Sequence, residues 1–497
     1  MTKTQALSLL FDKIEAGRAL DMAGSIIHWD AATSGVPFKS LQARGAAVGW
    51  LSGEGFRRFI APDTLEAIET LEAVKNELDI NENAMIREMG RGYRKVKAVP
   101  PEELQAFTEL VTQAEPIWEK AREKRDYEMI LPYYEKVFDY QRRLCDWYGY
   151  EKHPYDALLD DYEKGASVEM LDGFFKALRD KIVPLLKEIV QQGKQPKEIT
   201  GTFDIEKQRM LMPWLTDIIG YDRERGKVGE VEHPFCATIS INDVRITTKY
   251  HEDSLLSSVY SIIHECGHAI YEQKMNEDHV RYGLADCSSM GVHESQSRLY
   301  ENMIGRSRAF AERLLPKLRD RFDYFSGWDE DMLYRAINIA RPSLIRIEAD
   351  ELTYSLHVMI RYELEKALIT GDIKVVDLPG LWADKYEELI GLRPGDLAEG
   401  VLQDVHWSCG YVGYFPSYAV GTAYGAQMMN TIKKSIDVDA AVRKEDLSPV
   451  TGWLTENVHK HGSILLPDDL LIQATGEPFD PKYYVDYLSE KFTELYL

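Results

Sequence analysis

Apolar residues recur at three- and four-residue steps through most of this chain, with charged residues between them, and that period belongs to helices packed on one face. It predicts helices over 101–124, 131–148, 167–192, 254–275, 291–320, 343–370 and 477–496. Start signals support several of them: Ser167 with Glu169 in the first turn, Asp253-Ser254, and Pro342-Ser343 ahead of the segment from 343. Gly193 and Gly371 read as stops, and Pro184 as the place for a kink. Only 229–250, GEVEHPFCATISINDVRITTKY, carries the β-branched pattern of strands, with Asn242-Asp243 at the turn between two of them. A further short strand has no position legible in the sequence. The expected fold is therefore mainly α, a large helical unit with a small β-sheet; two helical lobes facing across a cleft are the alternative. No linker, repeat or low-complexity segment divides 1–497, so a single domain is expected.

A chain of 497 residues with 44% hydrophobic and 28% charged residues suits a globular enzyme and is too apolar for disorder. Its net charge of −23 repels nucleic acid and anionic membranes, so neither is expected as a partner. No stretch approaches the roughly 18 uncharged apolar residues of a membrane helix. The N-terminal MTKTQALSLLFDKIEAG reads as an amphipathic helix without a signal-peptide pattern. Five cysteines without CxxC spacing speak against a disulfide framework and for a reducing cytoplasm. Cys266 reads as a small buried filler.

The chemistry concentrates in His264-Glu265-Cys266-Gly267-His268. Residues four apart project from one helix face, so both imidazoles can reach one zinc ion. Glu265 is turned about 100° from His264, beside the metal and not on it. An apolar stripe of Leu255, Leu256, Val259, Ile262, Ile263, Ala269 and Ile270 makes this segment a buried helix. A catalytic zinc needs a third protein ligand and one open position. Glu294, 26 residues past His268 near the start of another long amphipathic segment, completes a two-histidine, one-glutamate set. Glu301 and Glu272 compete with it, and both read as salt-bridge partners; Asp286 is a candidate acceptor for a ligand imidazole, or a helix cap.

Such a site suits amide hydrolysis. Zinc polarises the carbonyl and activates a water, whose proton Glu265 takes as general base and returns to the leaving amine as general acid. A second oxyanion donor is expected from His406, Tyr411, Tyr414 or Tyr418 in DVHWSCGYVGYFPSYAVG, where aromatic packing is the competing explanation for any one tyrosine. Cobalt or manganese fits the same donors, so zinc is the expected cofactor without excluding its replacement.

Six motifs in order resemble the carboxypeptidase Taq family of metallocarboxypeptidases: His233-Pro234-Phe235, Asp243-Val244-Arg245-Ile246-Thr247, His264–His268, His293-Glu294-Ser295-Gln296, Ile345–Asp350 and Gly400–Trp407. The resemblance implies a helical fold with a deep groove, usually dimeric, that removes single residues from peptide C-termini. It also implies His264, His268 and Glu294 as ligands and Glu265 as the catalytic carboxylate, with a core over about 230–425 and an N-terminal lid over about 1–130. WDAATSGVPFKSLQARG (29–45) lacks the methionine-proline-glycine turn expected after the tryptophan, so the lid is where the chain departs from the family.

A carboxypeptidase needs an arginine fork for the free carboxylate. Arg346 is the first candidate, with an (i, i+4) pair to Asp350 as its alternative role. Arg245 is the second, on a strand edge where an extended peptide can add, or in a structural ion pair. His233 and Tyr411 are further groove-lining candidates, and His406 and Tyr414 the catalytic ones beside Glu265. Competing functions are an oligopeptidase using the same metal site, and a non-catalytic peptide-binding protein.

Overall fold

The computed structural model describes residues 1–497 and is mainly helical. The N-terminal region consists of α1 (Lys3–Thr33), α2 (Leu41–Phe59), α3 (Pro62–Glu72) and α4 (Ile80–Ala98). A capping box between Thr2 and Gln5 starts α1. α3 and α4 close on α1 over a small apolar core that includes Leu10, Ile68, Leu71, Met85 and Tyr93. α2 lies along α1 without burying a side chain, which leaves Trp50 and Phe56 exposed.

A second, far larger core runs continuously from Val99 to Tyr496. Its first helices are α5 (Pro101–Lys124), α6 (Leu131–Tyr148), α7 (Pro154–Tyr162) and α8 (Val168–Gln192), where the period predicts them. Ser167 caps α8 by accepting from the Met170 N–H at 3.3 Å. The helix runs unbroken through Pro184, because Ile182, Val183, Leu185, Leu186 and Ile189 bury the turns on both sides of the missing N–H.

Short helices α9 (Ile205–Arg209) and α10 (Met212–Ile219) lead into the sheet of β1 (Val228–Glu230), β2 (Cys236–Ser240) and β3 (Asp243–Thr248). β2 and β3 form the expected antiparallel hairpin, with Asp243 already paired to Ser240. β1 is the strand the sequence did not place: it pairs in parallel with β3, Val228 against Ile246, and three residues are too few to display alternation. β3 lies between the other two, so β2 is an outer strand.

α11 (Leu255–Gln273) packs on β3 and α10 and carries the histidines. The helix expected over 291–320 is not continuous. It splits into α12 (Met290–Arg298), a π-helical turn at Leu299–Ile304, and α13 (Arg308–Arg319), restarted where Ser307 accepts from the Phe310 N–H. α14 (Glu330–Ala336) follows. The helix expected from 343 begins only at Tyr354, as α15 (Tyr354–Thr370), and Pro342-Ser343 does not start it. Asp350 is the reason: its carboxylate accepts from the Arg341 and Thr353 N–H groups, which ties the preceding segment into a turn at the helix start. The remaining helices are α16 (Leu378–Leu389), α17 (Pro416–Ile432), α18 (Val438–Arg443), α19 (Ser448–Asn457), α20 (Pro467–Thr475) and α21 (Lys482–Tyr496). Pro478 and Pro481 delay α21 beyond the expected start at 477.

Two glycines set the distances at the centre. A Cβ at Gly267 on α11 would lie 2.6 Å from the Ser297 Cα and 2.7 Å from the Gln296 carbonyl oxygen on α12. A Cβ at Gly421 on α17 would lie 2.7 Å from the Gly291 carbonyl oxygen and 2.8 Å from the Glu294 Cβ. α12 is thus pressed between α11 and α17 with backbones in contact, and Glu294 is carried to the histidines. Gly267→Ala is expected to cost about 1–3 kcal/mol by overpacking and to lower bound metal per chain. A wild-type melting temperature with full metal content would show that the helices can part without consequence.

Candidate metal centre and active site

One atom from each of His264, His268 and Glu294 falls within 4.8 Å of the other two. Glu294 Oε2 stands 3.5 Å from His268 Nε2 and 3.9 Å from His264 Nε2. Ligand atoms around a tetrahedral zinc, each about 2.0–2.1 Å from it, stand about 3.3 Å apart, so the donor set and its spacing fit the ion. All three groups are largely removed from solvent, Glu294 being 7% exposed.

Each ligand is held from behind. Glu301 Oε2 bonds His264 Nδ1 at 2.9 Å, and the backbone carbonyl of His293 bonds His268 Nδ1 at 3.1 Å, so both rings keep Nε2 for the metal. Arg298 donates through Nε to Glu294 Oε1 at 2.6 Å, which leaves Oε2 as the metal-facing oxygen, and through Nη1 to Glu301 at 3.1 Å. Burial works against a charge on Glu294, but Arg298 and the histidines outweigh it and hold the carboxyl well below the usual range. Burial likewise opposes the Glu301 charge, and Arg298 and His264 overcome it. Burial and the neighbouring His293 push His268 down to about 3, so this imidazole is neutral and able to ligate.

The helix bearing Glu294 has its own anchor. The Glu163 carboxylate accepts from the Gly291 N–H at 2.8 Å and the Ser289 hydroxyl at 2.9 Å, at the N-terminal end of α12, and from the Tyr424 hydroxyl at 3.2 Å. Glu265, on the same helix as the histidines, is 7% exposed. Burial pushes its carboxyl up to about 7, with His264 pulling it down and Glu294 raising it. A cation between the ligands favours its ionised, proton-accepting form.

Beyond the ligands, His293 stacks on His268 with centroids 4.2 Å apart and bonds Glu272 at 3.1 Å. Both border a groove of about 890 Å³ that runs between α1, α2 and the outer strand β2, lined among others by Met22, Met89, Ile239 and Met290. Arg346, which shares Tyr354 with Arg298, is buried and gives Nε and Nη2 to Asp404, at 2.9 Å for the shortest bond, and Nη1 to Tyr354. Phe415 and Tyr418 place their rings beside the guanidinium, 4.9 and 5.6 Å away. The Tyr418 hydroxyl donates to that of Tyr414 at 3.3 Å, and His406 stacks with Tyr414 at 5.8 Å. Burial and Arg361 push His406 down to about 3, so it is neutral. Burial raises Tyr414, the hydrogen bond from Tyr418 lowers it, and the charge of Glu294 adds to the upward shift.

Several expectations change here. Glu301 is more than a salt-bridge partner, since it orients His264. The signal was its place seven residues past Glu294 and three past Arg298, which puts all three on one helix face. Asp286 takes no part in holding an imidazole; it accepts from the Cys287 N–H instead. Arg346 pairs with Asp404 and not with Asp350. Arg245 forms a two-pronged pair with Asp243, lies over Trp29, and lines a second hollow with Ile26, Asp30 and Arg44. His233 is exposed between β1 and β2, Tyr411 is half exposed, and Cys266 is fully buried.

The family model described as carboxypeptidase Taq (M32) metallopeptidase matches residues 10–492. Carboxypeptidase 1 of Bacillus subtilis (strain 168) is 39% identical over 491 residues, 98% of each chain. A structure of Pyrococcus furiosus carboxypeptidase in an apo-Mg form superposes with a TM-score of 0.95 at 35% identity, covering 98% of this chain and 99% of that one. Trypanosoma cruzi metallocarboxypeptidase 1 gives 0.93 at 35% identity, with 99% of each chain covered.

Proposed function

Because the chain belongs to the carboxypeptidase Taq (M32) family of metallopeptidases, and is thereby a zinc-dependent carboxypeptidase, we propose a specific division of work among its residues. His264, His268 and Glu294 hold the ion, and the observation that carries this is the convergence of their three donor atoms within 4.8 Å. When bound, zinc supplies Lewis acidity at the scissile carbonyl and at the attacking water. Glu265 takes the proton of that water and returns it to the leaving amine, working from a buried position beside the ligands. Tyr414 and His406 donate to the oxygen of the tetrahedral species from the loop opposite. Neutral His406 suits a donor that must not repel the cation.

Arg346 receives the free carboxylate of the peptide. Asp404 and Tyr354 fix its fork in place, so little side-chain freedom is lost on binding. Tyr411, half exposed on the same loop, borders the entry. Arg245 is better explained by its pair with Asp243, and His233 by the loop it ends. The rest of the peptide occupies the groove beside His293 and Glu272, under α1 and α2, which supports reading the N-terminal region as a lid. The wider reading includes a homodimer, as the family resemblance implies, and a cytoplasmic setting, which the five unpaired cysteines support. No helix is long and apolar enough to cross a membrane.

The test is mass analysis of products from one peptide with a free and with an amidated C-terminus, with and without chelator. A ladder shortened one residue at a time from the free acid, abolished by chelator and absent for the amide, is expected. Equal cleavage of the amide would make the enzyme an oligopeptidase, and no cleavage of either a peptide binder.

A further inference from the structure

The Val405–Phe415 loop, which carries His406 and Tyr414, is gripped from behind by two side chains one turn apart on α15. Glu365 is fully buried, and its carboxylate accepts four hydrogen bonds. Trp407 Nε1 at 2.7 Å and Arg361 Nε at 2.9 Å share one oxygen. The Tyr155 hydroxyl at 2.6 Å and the Gly413 N–H at 2.8 Å share the other. Arg361, equally buried, places its guanidinium between Trp407 and Phe415, 4.0 and 4.2 Å from their centroids. The pair therefore holds the loop near both ends.

Gly413 makes the second anchor possible. Its φ is +89°, and a Cβ there would lie 2.9 Å from the Leu158 carbonyl, so only glycine brings this N–H to Glu365. A buried ion pair adds little net stability over apolar packing of the same volume. Four directed bonds to one carboxylate do select a single loop geometry. Glu365 itself is sealed from solvent and cannot touch a peptide.

We propose that Glu365, together with Arg361, is a positioning residue for peptide hydrolysis: it clamps the Val405–Phe415 loop so that His406 and Tyr414 face the scissile carbonyl. This rests on the reading of those two residues given above, and the experiment separates the two.

The experiment measures kcat, KM and zinc per chain for Glu365→Gln, for Tyr414→Phe with His406→Ala, and for the three combined. Glutamine keeps the volume but turns an NH2 group toward two of the four donors, so Trp407 or Gly413 loses its acceptor. Glu365→Gln is expected to keep its zinc, to change KM by less than about twofold and to lose at least about tenfold in kcat, since a loop displacement of about 1 Å is enough for that. Added to Tyr414→Phe/His406→Ala, it is expected to lower kcat no further, because it acts through groups already removed. A wild-type kcat in Glu365→Gln, or an equal further loss in the combined variant, overturns the proposal. Wild-type kcat in Tyr414→Phe/His406→Ala would instead locate the failure in the reading of the loop residues, and the proposal falls with it. Should Glu365→Gln not fold, Tyr155→Phe deletes one donor and keeps the charge pair; the same two comparisons then apply, with an expected loss of about threefold to fivefold.

Discussion

Glu265→Gln is expected to retain one zinc per chain and to lose at least about a hundredfold in kcat, with KM little changed. The side chain lies on α11 beside both histidines, yet the three-donor cluster is complete without it. An amide of the same size preserves packing and removes the one group able to take and return a proton. Burial raises the carboxyl and so favours its return of the proton, while a cation held by the neighbouring ligands favours the ionised form that takes it; the two opposing influences let one group serve as base in one step and acid in the next. Metal content and turnover measured on the same preparation decide the matter. Near-normal turnover would remove Glu265 from the mechanism, and loss of metal would make it a ligand.

Glu294→Ala is expected to fail earlier, at metal binding. Removing a partner that only orients a ligand typically weakens a site by 10–100-fold, so removing a ligand should exceed that, and zinc per chain should fall well below one after dialysis. The loss is not confined to one donor. Arg298 gives its shortest bond to Glu294 and is left buried with Glu301 alone, which lowers stability as well. Glu301 cannot substitute, since its carboxylate bonds His264 at Nδ1, on the side of the ring away from the metal. Unchanged zinc content would point to a third ligand elsewhere.

Much of the fold was legible from periodicity because most helices bury one face and expose the other, as α5, α6 and α8 do with nearly the expected bounds. Periodicity failed where a tertiary contact outweighed local preference. The segment from 343 has helical spacing, but Asp404 accepts from Arg346 Nε and Nη2 and Asp350 captures two backbone N–H groups, so the helix waits until Tyr354. The segment after Glu294 keeps its apolar face while a π turn re-aims it. β1 was invisible because parallel pairing with β3, and not its own three residues, makes it a strand.

The same division runs through the site. His264, Glu265 and His268 follow from sequence because helix geometry alone places i and i+4 on one face and i+1 off it. Glu294 was recognisable by residue type and order, but its distance from the histidines depends on Gly267 and Gly421 letting three backbones touch. The partners of the ligands belong wholly to the tertiary structure. Glu301 for His264, the His293 carbonyl for His268, and Asp404 for Arg346 are contacts between separate segments, chosen by packing and by the need to pair every buried charge. Sequence thus determined which chemistry the chain can perform, since that depends on residue types at fixed local spacing. Which carboxylate orients which group, and which arginine remains for a substrate, was decided only when the helices came together.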